Sequence, residues 1–184
     1  MTIYIALLRG INVGGNHKLP MAELKALLEG LGLEHVKTYI QSGNVVFQGK
    51  ADDRDKLTEE ISLAIETSHG FAPKVLLLEM DELALAMSSN PFPQGEVDPK
   101  TLHLYFLASV PTAPDLEALA GVQREREQYH LADRVLYLYA PDGIGRSKLA
   151  TLTEKALGVN ATARNWRSVS KIMALAEEIE HGAG

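Results

Sequence analysis

The chain has 184 residues, enough to bury a full hydrophobic core, and its 46% hydrophobic and 23% charged residues are typical of a globular protein. No apolar run approaches the roughly 20 residues that span a bilayer, and the lack of cysteine excludes disulfides, thiolate nucleophiles and cysteine metal sites. The net charge of −6 argues against a dedicated nucleic-acid binder, and MTIYIALLRG lacks the features of a secretory signal, so we expect a cytoplasmic protein with no membrane partner.

The first half of the chain alternates strands and helices. Pro20 marks the start of the first helix, and Ser42-Gly43 marks a turn between two strands. Apolar spacing predicts strands at 2–9, 35–41, 44–48 and 73–80, with helices at 20–32 and 53–70. This βαββαβ order is the split βαβ arrangement of ferredoxin-like domains.

The second half repeats that order of elements, although no residue-level repeat is evident. A helix at 81–88 and a loop at 89–100 precede strands at 101–108, 124–131, 134–140 and 160–163, helices at 114–121 and 147–158, and a closing helix at 166–181. We therefore expect an α+β fold of two ferredoxin-like halves in tandem plus a C-terminal helix. The predicted domains are residues 1–80, a connecting helix and loop at 81–100, and residues 101–184 with the closing helix.

The first strand is apolar on both faces. Its alternating side chains are Ile3, Ile5 and Leu7 on one side and Tyr4, Ala6 and Leu8 on the other. An antiparallel sheet with one face in water would carry polar residues on that face. We expect the second face to be covered, by the other half or by a partner chain.

Four unusual polar segments follow or join strands. In a βαββαβ unit, the loop after the first strand and the hairpin between the second and third strands lie at the same end of the sheet. This places RGINVGGNHK (9–18) beside QSGN (41–44). The loops after the third and fourth strands also share an end, which pairs GIGRSK (143–148) with TARNW (162–166). Whether the two pairs meet is not determined by topology.

Basic residues stand at helix starts, where the helix dipole disfavours them by about 0.3–1 kcal/mol each. Arg146 and Lys148 flank the start of the helix at 147–158, Arg164 and Arg167 flank the start of the last helix, and Lys18 precedes the first helix. A bound anion would offset this cost, because free N–H groups and guanidinium groups together form phosphate or carboxylate sites.

These observations predict a site for a small anionic ligand, phosphorylated or nucleotide-like. Its bases would balance charge, its glycines would let the ligand approach the backbone, and its polar side chains would donate or accept hydrogen bonds. The predicted ligand-binding residues are Arg9, Asn12, Gly14, Gly15, Lys18, Gln41, Ser42, Asn44, Arg146, Ser147, Lys148, Arg164, Asn165, Trp166 and Arg167.

Structural explanations compete with this hypothesis. RGINVGG matches neither GxxxxGK[ST] nor GxGxxG, so its glycines could serve a turn alone. QSGN is explained by a hairpin turn, and Ser147 and Asn165 are explained as helix N-caps. Trp166 could stack on a ligand ring or simply pack. Caps do not explain the clustered bases.

The residues identify no reaction. The six histidines lack metal-ligand spacing, no catalytic constellation is evident, and the sequence leaves the cofactor and any enzymatic role unknown. One alternative is an RNA-binding protein on a ferredoxin-like scaffold, which the overall acidity disfavours without excluding it. Another is a self-association module, such as a homodimer, without a ligand.

The chain also resembles a known family. LLRGINVGGNHKLPMAELKALLEGLG, TYIQSGNVVF, SSNPF, GRSKL and TARNWRSVSKI resemble, in this order, the bacterial proteins of domain-of-unknown-function family 1697. The resemblance spans nearly the whole chain. It implies a fold of ferredoxin-like halves and carries no activity, substrate or site residue with it.

Overall fold

The computed structural model describes residues 1–50 and 53–182 and contains two four-stranded antiparallel sheets with helices. The strands are β1 (Thr2–Arg9), β2 (Glu34–Tyr39), β3 (Asn44–Gly49), β4 (Lys74–Glu79), β5 (Leu102–Leu107), β6 (Gln128–Ala132), β7 (Val135–Tyr139) and β8 (Ala161–Asn165). The helices are α1 (Met21–Gly30), α2 (Arg54–His69), α3 (Met80–Ser88), α4 (Gln94–Val97), α5 (Leu116–Val122), α6 (Lys148–Leu157) and α7 (Trp166–Gly182). The predicted α+β fold of two ferredoxin-like halves is confirmed.

The first sheet has the strand order β2-β3-β1-β4, with β3 antiparallel to both of its neighbours. Leu7 of β1 pairs with Asn44 of β3, so the end of β1 lies beside the beginning of β3. On the helix side of this sheet, Leu8 shares a buried core with Leu24 of α1 and Ile61 of α2. The alternating apolar side chains of β1 thus contribute one set to a conventional sheet–helix core.

Local sequence signals determine where α2 begins and ends. The Asp53 carboxylate accepts hydrogen bonds from the backbone N–H groups of Asp55 and Lys56, at 2.9 and 3.2 Å. Gly70 ends the helix with a φ of 76°, which a residue without a Cβ adopts at little cost. These bounds agree with the helix predicted at 53–70.

The opposite face of the first sheet is buried as well. Ile5 and Leu7, which point to that face, are at most 1% exposed. Lys37 of β2 extends from the same face, and its Nζ contacts Glu178 Oε2 of α7 at 2.7 Å. The C-terminal part of α7 therefore packs on this face, and the cover predicted for it is provided by the chain itself.

The second sheet has the order β6-β7-β5-β8, which is the same topology. Leu102 at the start of β5 pairs with Tyr139 at the end of β7, and His103 pairs with Asn165 at the end of β8. Gln128 at the start of β6 also pairs with Tyr139. One end of this sheet therefore collects the starts of β5 and β6 and the ends of β7 and β8.

Helix α4 and strand β6 differ from the prediction. The segment predicted as a loop at 89–100 contains the short helix α4, which lies against β5: a Cβ on Gly95 would come within 2.6 Å of the Leu102 Cβ. Strand β6 begins at Gln128 rather than at 124, because the Glu127 N–H donates to the Arg124 carbonyl at 3.0 Å and closes a turn there. Charged residues of REREQ form that turn instead of extending the strand.

The chain divides into two compact units. One contains Met1–Leu85 together with the described residues from Ser170 on, and the other contains Ala86–Val169. Most of α7 thus belongs with the first unit, whereas the sequence prediction assigned the whole helix to the second half. Within the described residues, no helix combines the length and apolar character needed to cross a membrane.

Candidate functional site

Residues 9–18 form a hairpin-shaped loop, here called the finger loop. Val13 and Asn16 pair as an isolated bridge, and the Asn16 N–H donates to the Val13 carbonyl at 3.0 Å. Gly14 and Gly15 between them have φ values of 57° and 78°, a combination typical of a type I′ turn. A Cβ on either glycine would meet nothing within 4 Å. The backbone conformation therefore explains both glycines, and the loop tip is open to solvent.

Asn12 joins the finger loop to the neighbouring hairpin. Its Nδ2 donates to the Leu19 carbonyl at 3.0 Å and to the Gln41 carbonyl at 2.8 Å. Its Oδ1 accepts from the Leu19 N–H at 2.8 Å. Both donor hydrogens of this amide are used within the fold, so Asn12 acts here as a structural link between the two loops.

The hairpin turn at 41–44 packs directly under the end of β1. The Leu8 N–H donates to the Gly43 carbonyl at 2.8 Å, and a Cβ on Gly43 would lie 2.6 Å from the Leu8 Cβ. Asn44 is fully buried and donates to the Tyr39 carbonyl and to Ser42 Oγ, at 3.0 and 2.9 Å. The predicted juxtaposition of RGINVGGNHK and QSGN is confirmed, and most of its polar groups stabilise the loops.

The bases of the finger loop are at the surface. Arg9 and Lys18 are both exposed. Between them in the chain, the His17 ring stacks on Phe71 with centroids 4.6 Å apart, and its Nδ1 contacts the Gly10 carbonyl at 2.9 Å. Ile40, which was not predicted from the sequence as a site residue, lies nearby at the hairpin turn. Its side chain is 51% exposed, and its φ of 48° is rare for a β-branched residue.

In the second unit, Ser147 is the N-cap of α6. It is buried, and its Oγ accepts a hydrogen bond from the Ala150 N–H at 3.1 Å. Arg146 and Lys148 on either side of it are exposed, and the first turn of α6 contains no acidic residue. The serine is thus explained by capping, while the two flanking bases have no structural role of that kind.

Asn165 is the corresponding N-cap of α7, with its Oδ1 accepting from the Ser168 N–H at 2.9 Å. Arg167 is exposed, and the first turn of α7 contains no acidic residue. Trp166 is only 8% exposed, so it packs within the chain and does not present its ring for stacking. The segment therefore contributes one exposed cation at this helix start.

Arg164 is separated from these residues by the alternation of the strand. It pairs with Leu104 in β8, whereas Asn165 pairs with His103, so the two residues point to opposite faces of the sheet. Arg164 is half-buried, donates to the Ala163 carbonyl at 2.9 Å, and burial lowers the pKa of its guanidinium to about 10. It remains charged at neutral pH, but on the other face of the sheet from Asn165.

Arg124 was not predicted and joins the GRSK segment. It lies in the turn before β6, and its guanidinium donates to the Arg146 carbonyl at 2.5 Å. Its own turn is held by the buried Glu127 carboxylate, which accepts the Arg124 backbone N–H at 3.0 Å. The fold topology could have predicted that Arg124 lies near the GRSK segment, because the start of β6 lies at the same end of the sheet as the end of β7.

We call Arg124, Arg146, Lys148 and Arg167 the basic end of the second unit. Strand pairing brings their segments to one end of the sheet. Within residues 1–50 and 53–182, none of the four forms an ion pair, whereas the neighbouring Arg126 pairs with Asp142 at 2.5 Å. Exposed positive charge thus accumulates beside two helix N-termini.

His103 is a further group that the sequence did not single out. It stands at the start of β5, opposite Asn165, and its buried Nδ1 has no hydrogen-bond partner in the described part of the chain. Burial lowers the pKa of His103 to about 4, so the ring is neutral at physiological pH. A neutral imidazole near the basic end could donate or accept a hydrogen bond without adding charge.

This arrangement can attract an anion but does not provide recognisable catalytic chemistry. The described residues include no group of acidic or histidine side chains that could hold a metal ion. A cavity of about 490 Å³ lies at the opposite end of the second sheet, beside Ala108 and Gly158, and no predicted ligand-binding residue lines it. The exposed bases of the basic end therefore lie outside that cavity, at the surface of the second unit.

Comparisons with known proteins identify a family and a fold. The family model for the protein of unknown function DUF1697 matches residues 1–137. The conserved bacterial protein SP0830 from Streptococcus pneumoniae has a similar solved structure, with a TM-score of 0.72 and 24% sequence identity over 96% of this chain and 99% of that chain. No curated protein matches the chain. Since the family model covers well over half of the sequence, the chain belongs to the DUF1697 family, whose function is unknown.

Proposed function

We propose that this protein binds a small anionic ligand, phosphorylated or nucleotide-like, at the basic end of the second unit, and that it does so in the bacterial cytoplasm. One observation carries the proposal: Arg146, Lys148 and Arg167 are exposed at two helix starts and have no carboxylate partner among the described residues. No reaction is assigned to this site.

The electrostatics of the helices support this choice. Helices α1, α2 and α5 each carry an acid in the first turn, as their dipoles favour, and α6 and α7 carry none. An anion at the start of α6 or α7 would gain from the dipole and from the nearby guanidinium and ammonium groups at once. The same bases would otherwise cost the fold stability.

The finger loop is proposed as a separate, weaker contact for anions. Arg9 and Lys18 are exposed there, and the tip at Gly14 and Gly15 is open to solvent. The amides of Asn12 and Asn44 are already engaged within the fold, so they would contribute by holding the loops in place. This part of the proposal depends on backbone N–H groups and charge alone.

Isothermal titration with inorganic phosphate, pyrophosphate and ATP tests the proposal. We expect saturable binding of at least one of them, with affinity that falls as salt is raised. A triple variant, R146Q/K148Q/R167Q, should lose that binding. The matched control is Lys155→Gln, which removes one exposed base from the last turn of the same helix α6 and should bind as the unsubstituted protein does.

A specific observation also favours self-association as a second candidate. Val13 and Ile40 are 65% and 51% exposed, and their loops are joined by the bond from Asn12 to Gln41. Ile40 retains a strained φ of 48°, and strain of this kind is found most often at functional surfaces. We would expect a concentration-dependent dimer in analytical ultracentrifugation that V13S/I40N abolishes. A monomer at all concentrations would remove this candidate.

A further inference from the structure

A cavity of about 230 Å³ lies at the end of the first sheet where the central strand β1 begins. It belongs to the first unit and involves none of the residues of the basic end. The residues that matter to its chemistry are three carboxylates, one carboxamide and two apolar side chains: Glu79, Asp81, Glu180, Gln48, Ile3 and Met80.

Gln48 gives the first indication of a ligand. It is only 7% exposed, its side chain makes no hydrogen bond with the described residues, and its amide atoms are accessible to solvent beside the cavity. Buried carboxamides nearly always have a partner. Because Gln48 lines the cavity, a molecule in the cavity is the group that would satisfy it.

The charges of the cavity indicate which kind of molecule. Glu79 is paired with Arg54, with Oε1 at 3.4 Å from the Arg54 Nη2. Asp81 and Glu180 form no ion pair with any described residue. No lysine, arginine or histidine is among the described residues that line the cavity. Carboxylates therefore outnumber cations, and the cavity favours a positive guest.

The position of Glu180 strengthens this reading. Asp81 is in the first turn of α3, where the helix dipole favours an acid, so its presence needs no ligand. Glu180 is near the end of α7, where the dipole disfavours an acid. Its neighbour Glu178 is balanced by Lys37, whereas Glu180 has no such balance in the described chain. A cation in the cavity would balance the negative charge of Glu180.

We propose that this cavity binds an organic cation, an alkylammonium or guanidinium group. A metal ion needs several converging oxygen ligands, and the described residues contain no acidic cluster close enough to hold one. A guanidinium group carries five N–H donors and can reach spaced acceptors, here the carboxylates and the Gln48 Oε1. Ile3 and Met80 would contact its alkyl stem. Arg54 already bridges Glu79 and Glu82 in this way at the same edge.

Isothermal titration at low ionic strength with agmatine and putrescine tests the proposal. We expect one saturable site for at least one of these cations. The variant D81N/E180Q should weaken binding at least tenfold. Glu177→Gln removes one negative charge from α7 outside the cavity and should leave the affinity within twofold. Gln48→Leu should also weaken binding. If this buried substitution prevents folding, the surface variant D81N/E180Q still tests the proposal.

Further measurements distinguish the sources of such a cation. A capped Gly-Arg-Gly peptide that binds more tightly than agmatine would identify the guest as an arginine side chain of a partner, and the reverse would identify a free metabolite. Either result supports the cation site. Saturable binding of Mg²⁺ alone, equal losses in D81N/E180Q and E177Q, or no binding of any cation at millimolar concentration would overturn it.

Discussion

At the residue scale, a single amide connects the finger loop, the start of α1 and the hairpin at 41–44. Asn12 makes three hydrogen bonds to the backbone of Leu19 and Gln41. Asn12→Asp keeps the size of the side chain and its tolerance of a positive φ, but it removes both donors. We expect urea denaturation to show a loss of about 2 kcal/mol in the free energy of unfolding.

The control for this prediction lies in the same loop. Asn16 is exposed, and its side chain makes no hydrogen bond with the described residues, so Asn16→Asp introduces the same charge without removing a bond. It should change the free energy of unfolding by less than about 0.5 kcal/mol. Equal effects of the two substitutions would show that charge, rather than the lost bonds, destabilises the loop.

His103 makes the second prediction at this scale, because burial lowers its pKa to about 4 from an ordinary 6.5. Between these values the unfolded chain binds a proton that the folded chain does not, so stability falls as pH falls from about 6.5 to about 4. We expect the free energy of unfolding to fall by about 2 kcal/mol over this range. This is less than the full pKa shift implies, because the residue is partly exposed. Denaturation from pH 7 to 4 should show a flatter decline in His103→Leu than in exposed His130→Leu.

At the scale of elements, α6 carries a base at each end. The helix dipole disfavours Lys148 in the first turn and favours Lys155 in the last turn. Lys148→Glu in the first turn should raise the free energy of unfolding by about 0.5–1 kcal/mol at low salt. Lys155→Glu in the last turn should lower it by a similar amount. Both effects should shrink as salt is raised. If Lys148→Glu destabilises the protein, the base at this helix start already has a favourable partner, and the anion proposal loses its motivation.

The contact between β1 and the neighbouring hairpin gives another prediction. Gly43 and Gly15 both have φ near 80°, at 80° and 78°, but only Gly43 lies against another residue, 2.6 Å from its Cβ position to the Leu8 Cβ. Gly15→Ala should cost about 1 kcal/mol for the backbone conformation alone. Gly43→Ala should cost at least about 2 kcal/mol more, because β1 and the turn must separate. Thermal denaturation measures the difference.

At the scale of the whole molecule, the two units share one topology, but the helices that follow their fourth strands begin with residues of opposite charge. The helix after the fourth strand of the first unit, α3, begins with Asp81 and Glu82, whereas the helix after the fourth strand of the second unit, α7, begins without an acid and with exposed Arg167. Equivalent positions of the fold thus carry an acidic cavity in one unit and a basic surface in the other. The two sites that we propose would therefore bind ligands of opposite sign.

Much of this architecture could be predicted from the sequence, because apolar periodicity determines the strands and the βαββαβ order determines which loops share an end. Individual side chains could not be assigned in that way. Asn12 and Asn44 look like ligand-binding residues until their bonds to backbone carbonyls are known. Arg164 falls on the opposite face of the sheet from Asn165, because β8 continues to Asn165, beyond its predicted end at 163. Burial of His103 depends on packing between distant segments.

The central claim is that the basic end of the second unit binds an anion, and amide chemical shifts measure this at the residues concerned. Inorganic phosphate titrated into ¹⁵N-labelled protein at low ionic strength should shift the backbone amides of Lys148, Leu149 and Arg167 along one common saturation curve. The R146Q/K148Q/R167Q variant should show no such curve. Small, unsaturated shifts spread evenly over the surface, or saturation confined to other residues, would contradict the proposal.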